Sequence, residues 1–183
     1  MNKSITPGAS ELGQSDTPNI PTSNVVPSSN SGIGGIPCCQ AAKTICSLSK
    51  WTLTNLKLQK LLYLAHMVSL GKDKTPLITE TFSAWMYGPV IPVLYDRIKI
   101  FGGDCVLDRF YDESLLAQSH KLYKTIEDTW NFFGRKEGWE LVKITHAPQG
   151  AWSKNYNPHY NVNISNEDIL EEYNIRTKGK NCE

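Results

Sequence analysis

The chain has 183 residues, the usual size of a single domain. Hydrophobic residues make up 40% of it and charged residues 20%, so it can bury a packed core. Its formal net charge is +1, and the two signs are mixed along the chain. A near-neutral chain creates no long-range field for nucleic acid or for an anionic membrane, so we expect neither as a partner.

The cysteines predict free thiols rather than a metal site or a disulfide framework. Their number is odd, and no C-x-x-C pair occurs among Cys38, Cys39, Cys46, Cys105 and Cys182. We therefore predict no metal and no other cofactor. The apolar stretch at residues 61–70 is about half of the roughly twenty residues that span a bilayer. Since no N-terminal signal sequence is recognisable, these features predict a cytoplasmic protein.

Residues 1–36 differ in composition from the rest of the chain. They are rich in Ser, Pro, Asn, Thr and Gly, contain no aromatic residue and hold three charged residues, Lys3, Glu11 and Asp16. Such a segment has too little apolar surface to offset the entropy lost on ordering. We predict a disordered tail over residues 1–36, one domain over 37–176 and a short C-terminal tail over 177–183.

Apolar residues recur at helical spacing through most of the remaining chain. Local signals mark where several helices begin, namely Pro37, the N-cap residue Thr54, Pro92, and the Ser165–Asp168 pair. The pattern predicts helices over 38–50, 54–71, 92–101, 114–133 and 139–145, a short segment from Trp152, and a final helix after 165.

One segment has the two-residue period of a strand. Residues 79–87 alternate in this way, and Gly88–Pro89 predicts the turn that ends the strand. The predicted fold class is therefore mainly α with a small β-sheet (α+β), as a single compact helical domain behind the disordered N-terminal tail.

Three segments carry a family resemblance. They are residues 56–65, LKLQKLLYLA; residues 84–95, AWMYGPVIPVLY; and residues 144–152, ITHAPQGAW. In this order and at this spacing they resemble the Panacea domain of SocA-like antitoxins, which also occurs in proteins labelled phage-associated. The resemblance extends over roughly residues 40–173.

The resemblance implies a function as well as a helical fold. It implies a non-enzymatic domain that binds and neutralises a partner toxin protein. In SocA-like members it further implies a link between that toxin and a protease, such as a ClpXP-type machine. Members of the family associate with unrelated toxins, so the resemblance does not identify the toxin.

The binding hypothesis rests on two groups of residues. We predict that the partner contacts the polar side of the second helix and the end of the strand, through Lys57, Lys60, Tyr63, Trp85, Tyr87, Gly88 and Pro89. A purely structural interpretation stays open, in which lysine stems cover the core, the rings belong to the core and Gly-Pro makes a tight turn. On the binding hypothesis, replacing Lys60 and Tyr63 together with Ala would leave the melting temperature nearly unchanged but abolish rescue from the toxin on coexpression.

A third group, Thr145, His146 and Trp152, is predicted to be structural, because a histidine at a helix C-terminus can bond the last carbonyls. One alternative is a hydrolase that uses His66, Glu80 or His146, although the sequence has no G-x-S-x-G, P-loop or H-E-x-x-H motif. Another alternative is a nucleic-acid-binding regulator, which would need a basic recognition helix where these helices have mixed charge.

Overall fold

The computed structural model describes residues 34–178. This part of the chain forms seven α-helices, one short 3-10 helix and three strands. The helices are α1 Cys38–Leu48, α2 Asn55–Asp73, α3 Pro92–Ile98, α4 Lys121–Phe133, α5 Gly138–Thr145, α6 Ala151–Asn155 and α7 Asn166–Lys178, and the 3-10 helix is Lys99–Phe101. The strands are β1 Phe82–Trp85, β2 Gly88–Val90 and β3 Val162–Ile164. The predicted fold class, mainly α with a small sheet, is confirmed.

Helix α2 is the centre of the domain. It begins as predicted at Thr54, whose hydroxyl oxygen accepts a hydrogen bond from the Lys57 N–H at 3.3 Å. Helices α1, α4, α5 and α7 and strand β2 all contact it, and most of its 19 residues are buried. Every residue from Leu58 to Met67 is buried, so the middle of α2 has no solvated face, and this burial determines the positions of its polar side chains.

The sheet is antiparallel with the strand order β2-β1-β3. The predicted turn at Gly88–Pro89 is wrong, because these two residues begin β2 and pair with Trp85 and Ala84. Met86 and Tyr87 connect the two strands instead. A proline fits here because β2 is an edge strand, where its missing N–H breaks no ladder bond. Strand β3 was not predicted from the sequence.

Several helix boundaries also differ from prediction. Helix α2 continues past Gly71 to Asp73 and ends where Lys74 takes a left-handed backbone conformation. Helix α1 ends at Leu48 rather than 50, because Lys50 and Trp51 take left-handed backbone conformations that stop it. Helix α4 begins at Lys121 rather than 114. The residues before it are irregular, and the Leu116 N–H donates to the Thr44 hydroxyl of α1 at 3.1 Å instead of to a helical carbonyl.

The ends of the domain lie slightly outside the predicted limits. Ile36 is only 8% exposed, its N–H donates to the Leu77 carbonyl at 2.8 Å, and its carbonyl accepts from the Thr79 N–H at 3.1 Å. The predicted tail boundary at 36 is therefore too late, and α7 runs to Lys178 through the predicted start of the C-terminal tail at 177. Residues 1–33 of the predicted tail and residues 179–183 lie outside the described residues. No helix in the described part is both long enough and apolar enough to cross a membrane.

Candidate protein-interaction site

Lys60 of α2 lies beneath the β1–β2 hairpin. Its side chain is 0% exposed, and its Nζ donates a hydrogen bond to the Pro89 carbonyl at 2.9 Å. The position follows from the burial of α2, which directs this lysine into the protein rather than into solvent. Burial disfavours the charged ammonium and lowers the pKa of Lys60 from 10.5 to about 7.

Gly88 is the residue that closes the space around Lys60. Its φ is +100°, and a Cβ built there would lie 2.8 Å from Lys60 Cε and 3.0 Å from Thr145 Oγ1. Glycine is therefore required both by the backbone conformation and by the lack of room. Gly88 and Pro89 are buried, so they cover Lys60 and form the base of the hairpin rather than its outer surface.

An aromatic stack supports the same hairpin from the side of α5 and α6. The rings of His146 and Trp152 lie parallel, 3.5 Å between centroids, and Tyr156 stacks on Trp152 at 4.8 Å. The Trp152 indole N–H donates to the Trp85 carbonyl at 2.8 Å. Burial, together with the nearby Lys60 charge, lowers the pKa of His146. The predicted third group thus makes internal contacts that hold the end of β1.

A cleft of about 380 Å³ opens between the start of α2 and the outer side of the hairpin. Its wall is mainly apolar and aromatic, and Lys60 is its one charged residue among those described. The lining residues are Asn55, Leu56, Gln59, Lys60, Trp85, Met86, Tyr87, Val90, Tyr95 and Gly102. The Trp85 and Tyr95 rings meet edge to face in this wall, with centroids 4.9 Å apart. Met86 and Tyr87 at the hairpin tip are 66% and 65% exposed.

Tyr63 contributes nothing to this surface. It is 0% exposed, and its hydroxyl donates to Glu172 of α7 at 2.6 Å. The Glu172 carboxylate also accepts from the Ala151 N–H at 2.8 Å and from Arg176. Burial and the neighbouring Glu172 carboxylate raise the pKa of Tyr63. Tyr63 thus joins α2 to α7 inside the protein.

The predicted exposed face of the second helix is therefore wrong for Lys60 and Tyr63. Both side chains are polar, but their partners Pro89 and Glu172 are internal, so neither needs solvent. Of the predicted binding residues, Tyr87 is exposed, while Trp85 and Lys57 are partly buried. The role of these residues in binding stays a prediction.

A family model described as "Antitoxin SocA-like, Panacea domain" matches residues 58–153, a little over half of the chain. The chain belongs to this family. It is also 33% identical over 109 residues to a protein named antitoxin SocA from Caulobacter vibrioides strain NA1000 / CB15N. That match covers 55% of this chain and 58% of the relative, so the chain corresponds to little more than half of the relative's length. No solved structure matches the chain.

The Panacea match contains most of the site. It includes Lys60 and the whole β1–β2 hairpin, together with Thr145, His146 and Trp152. It leaves out Leu56 and Lys57 at the start of α2, and also α7 with Glu172. The matched segments of the Panacea domain thus contain both the hairpin and the two internal contacts that support it.

The residues of the hydrolase alternative occupy separate structural roles in this Panacea domain. His66 Nδ1 accepts from the Ile78 N–H at 3.3 Å, and its Nε2 lies 2.9 Å from Asn166 Oδ1. The Glu80 carboxylate accepts from the Cys38 N–H at 2.8 Å at the start of α1. Within residues 34–178, no hydrogen bond joins any two of His66, Glu80 and His146, and no group of three potential metal ligands is close enough to hold an ion.

Two surface residues were absent from the predicted site. Met86 falls within the strand predicted over residues 79–87, whereas it occupies the hairpin connection and is exposed. Leu56 is 37% exposed at the first turn of α2, where it forms part of the cleft. A hairpin connection placed two residues earlier, at Met86–Tyr87 instead of Gly88–Pro89, would have identified Met86 from the sequence.

Proposed function

We propose that the chain is an antitoxin-like interaction module that binds and neutralises a partner toxin protein and catalyses no reaction itself. Membership of the SocA-like Panacea family supports this proposal, as does the likeness to a protein named antitoxin SocA. The link to a protease that the resemblance implies rests on family likeness alone and stays a prediction.

The observation that carries the proposal is the exposed tip of the β1–β2 hairpin. Met86 and Tyr87 expose about two thirds of their surface, and they border an apolar cleft with Leu56. Methionine and tyrosine are enriched in protein interfaces, and exposed apolar patches of this kind mark sites of association. We call Leu56, Met86 and Tyr87 the tip surface.

The tip surface stands on a fixed base, which favours tight binding. The Lys60–Pro89 hydrogen bond holds β2 to α2, and the Trp152–Trp85 hydrogen bond holds β1 to α6. A surface that is already ordered loses less conformational entropy when a partner binds. Neither alternative function has an observation of this kind in its favour.

Copurification from the organism that makes the chain, followed by mass spectrometry, tests the proposal. The wild-type chain should capture a protein that inhibits growth when expressed alone, and coexpression of the chain should restore growth. Replacing Met86 and Tyr87 together with Ser should weaken capture by roughly thirtyfold, since truncating central interface residues typically costs about 2 kcal/mol.

A matched control is available elsewhere on the surface. Leu107 and Tyr111 are 62% and 83% exposed and lie outside the tip surface and the cleft, so their joint replacement by Ser should leave capture unchanged. Both double variants should melt like the wild-type chain. Full rescue by a folded Met86→Ser, Tyr87→Ser variant would contradict the proposed surface. Failure of the wild-type chain to rescue growth from any captured protein would contradict the antitoxin function.

A further inference from the structure

The described part of the chain leaves two buried side-chain nitrogens without a hydrogen-bond partner, Trp85 Nε1 and His146 Nε2. Trp85 lines the cleft, and His146 stacks on Trp152, whose indole bonds to the Trp85 carbonyl. Buried polar groups without a partner are rare in folded proteins and call for an explanation, and an absent binding partner is one.

Lys60 adds a third nitrogen with unused bonding capacity. An ammonium group has three N–H donors, and within the described residues the Lys60 Nζ has one acceptor, the Pro89 carbonyl. No carboxylate of the described chain pairs with it. Lys60 nevertheless forms part of the cleft wall, although water reaches essentially none of it. The inner end of the cleft is therefore lined by the Lys60 amine and the Trp85 indole N–H, buried donors with bonding capacity that no acceptor of the described residues uses.

The remaining wall specifies the other half of the ligand. Its apolar area comes from Leu56, Val90 and Met86 and from the rings of Trp85, Tyr87 and Tyr95. A volume of about 380 Å³ is near the lower end of the range for small-molecule sites, so it suits one large side chain rather than an extended cofactor. Aromatic walls favour an aromatic guest through edge-to-face and offset contacts.

We propose that this cleft receives an aromatic side chain of the partner protein together with a nearby carboxylate that pairs with Lys60. The inference rests on the proposed function, because it gives the chemistry by which the tip surface would recognise a toxin. The ring lies among Trp85, Tyr87 and Tyr95, and the carboxylate reaches the inner end of the cleft. There it supplies the acceptor that Lys60 lacks, and it is the counter-charge that a buried amine requires.

The direct test needs no toxin. N-acetylphenylalanine carries a phenyl ring and a carboxylate, and N-acetylphenylalaninamide replaces the carboxylate with a neutral amide. Each is titrated to about 10 mM into the full chain labelled with ¹⁵N, since a ligand of this size binds in the millimolar range. The readout is the indole N–H resonance of Trp85, assigned with Trp85→Phe, and the Trp130 indole outside the cleft is the internal control.

We expect the acid to shift the Trp85 resonance and to bind at least about tenfold more tightly than the amide. In Lys60→Met, which keeps the length of the side chain and removes its charge, the two probes should bind alike. Equal binding of acid and amide to the wild-type chain would overturn the proposal, and so would a shift of Trp130 that matches that of Trp85. The wild-type comparison decides the matter even where Lys60→Met does not fold.

The result is independent of the toxin experiment. If the chain binds the acid selectively but captures no toxin, the proposed cleft ligand is supported and the antitoxin function is contradicted. If the chain captures a toxin through the tip surface but binds acid and amide equally, the antitoxin function is supported and the proposed carboxylate contact is contradicted.

Discussion

The Lys60 ammonium and the Pro89 carbonyl, 29 residues apart in the chain, are joined by a hydrogen bond of 2.9 Å. Pro89 lies in an edge strand and pairs with Ala84, so the bond fixes the outer strand of the hairpin to the central helix. A buried polar group costs stability when it has no hydrogen-bond partner, because water cannot replace the missing bond. Burial also disfavours the charged form of the Lys60 amine. The hairpin and the protonation state of Lys60 are therefore coupled.

Lys60 should make the stability of the fold rise with pH between about 7 and 10. The folded chain releases the Lys60 proton near pH 7, whereas the unfolded chain holds it up to the ordinary pKa of 10.5. The unfolded state thus binds more protons in this window, which raises the free energy of unfolding by up to about 1.4 kcal/mol per pH unit. Urea denaturation at several pH values measures the free energy of unfolding of the wild-type and Lys60→Met chains. The difference between the two chains cancels the contribution of the other titrating groups. Parallel curves for the two chains would contradict this account.

Gly88→Ala should destabilise the domain by about 1–3 kcal/mol. The methyl group would meet Lys60 Cε at 2.8 Å, and the left-handed φ of +100° adds backbone strain. Gly103→Ala is the matched control, since nothing lies within 4 Å of its added Cβ. Thermal melts of both variants check the prediction. If Gly88→Ala melts at the same temperature as Gly103→Ala, Lys60 can move aside without a loss of stability, and the prediction is wrong.

The local features of this fold were readable from the sequence. Thr54 caps α2, Pro92 opens α3, and the Ser165 hydroxyl accepts from the Asp168 N–H at 3.1 Å at the start of α7. Each of these signals acts over three or four residues, so the chain segment alone contains the information.

The candidate site was less predictable because its contacts are distant in sequence. The helical pattern of α2 suggested a solvated polar face, but Lys60 bonds 29 residues away and Tyr63 bonds to Glu172, 109 residues away. A hydrophobic period of 3.6 residues identifies a helix but does not tell how many of its sides are covered by the rest of the protein.

The double replacement of Lys60 and Tyr63 by Ala should accordingly lower the melting temperature strongly, which reverses the expectation drawn from the sequence.

The start of the folded domain can be located by truncation. A chain that begins at Gly34 should melt like the full chain, whereas one that begins at Cys38 should lose about 2–4 kcal/mol of stability. The shorter chain lacks the burial of Ile36 and its two backbone hydrogen bonds to Leu77 and Thr79. Denaturant melts of the two truncations measure the difference. Equal stability of both would show that Ile36 contributes nothing, and a large loss in the longer one would contradict the predicted tail.

His66 should make the domain sensitive to acid. Its Nδ1 accepts from the Ile78 N–H and its Nε2 pairs with Asn166 Oδ1, so the folded chain holds a neutral ring that is 1% exposed. Burial lowers the pKa of His66 from 6.5 to about 4. Between these two pH values the unfolded chain therefore binds a proton that the folded chain does not. The stabilisation is complete above about pH 6.5 and is lost as the pH falls towards 4, by about 3 kcal/mol in total.

His66→Gln, which cannot titrate, should lose less stability than the wild-type chain between pH 7 and 4. His159→Gln, at an exposed position, should follow the wild-type chain. Denaturant unfolding across this range tests both, and an equal acid loss in His66→Gln and the wild-type chain would assign the sensitivity to other groups.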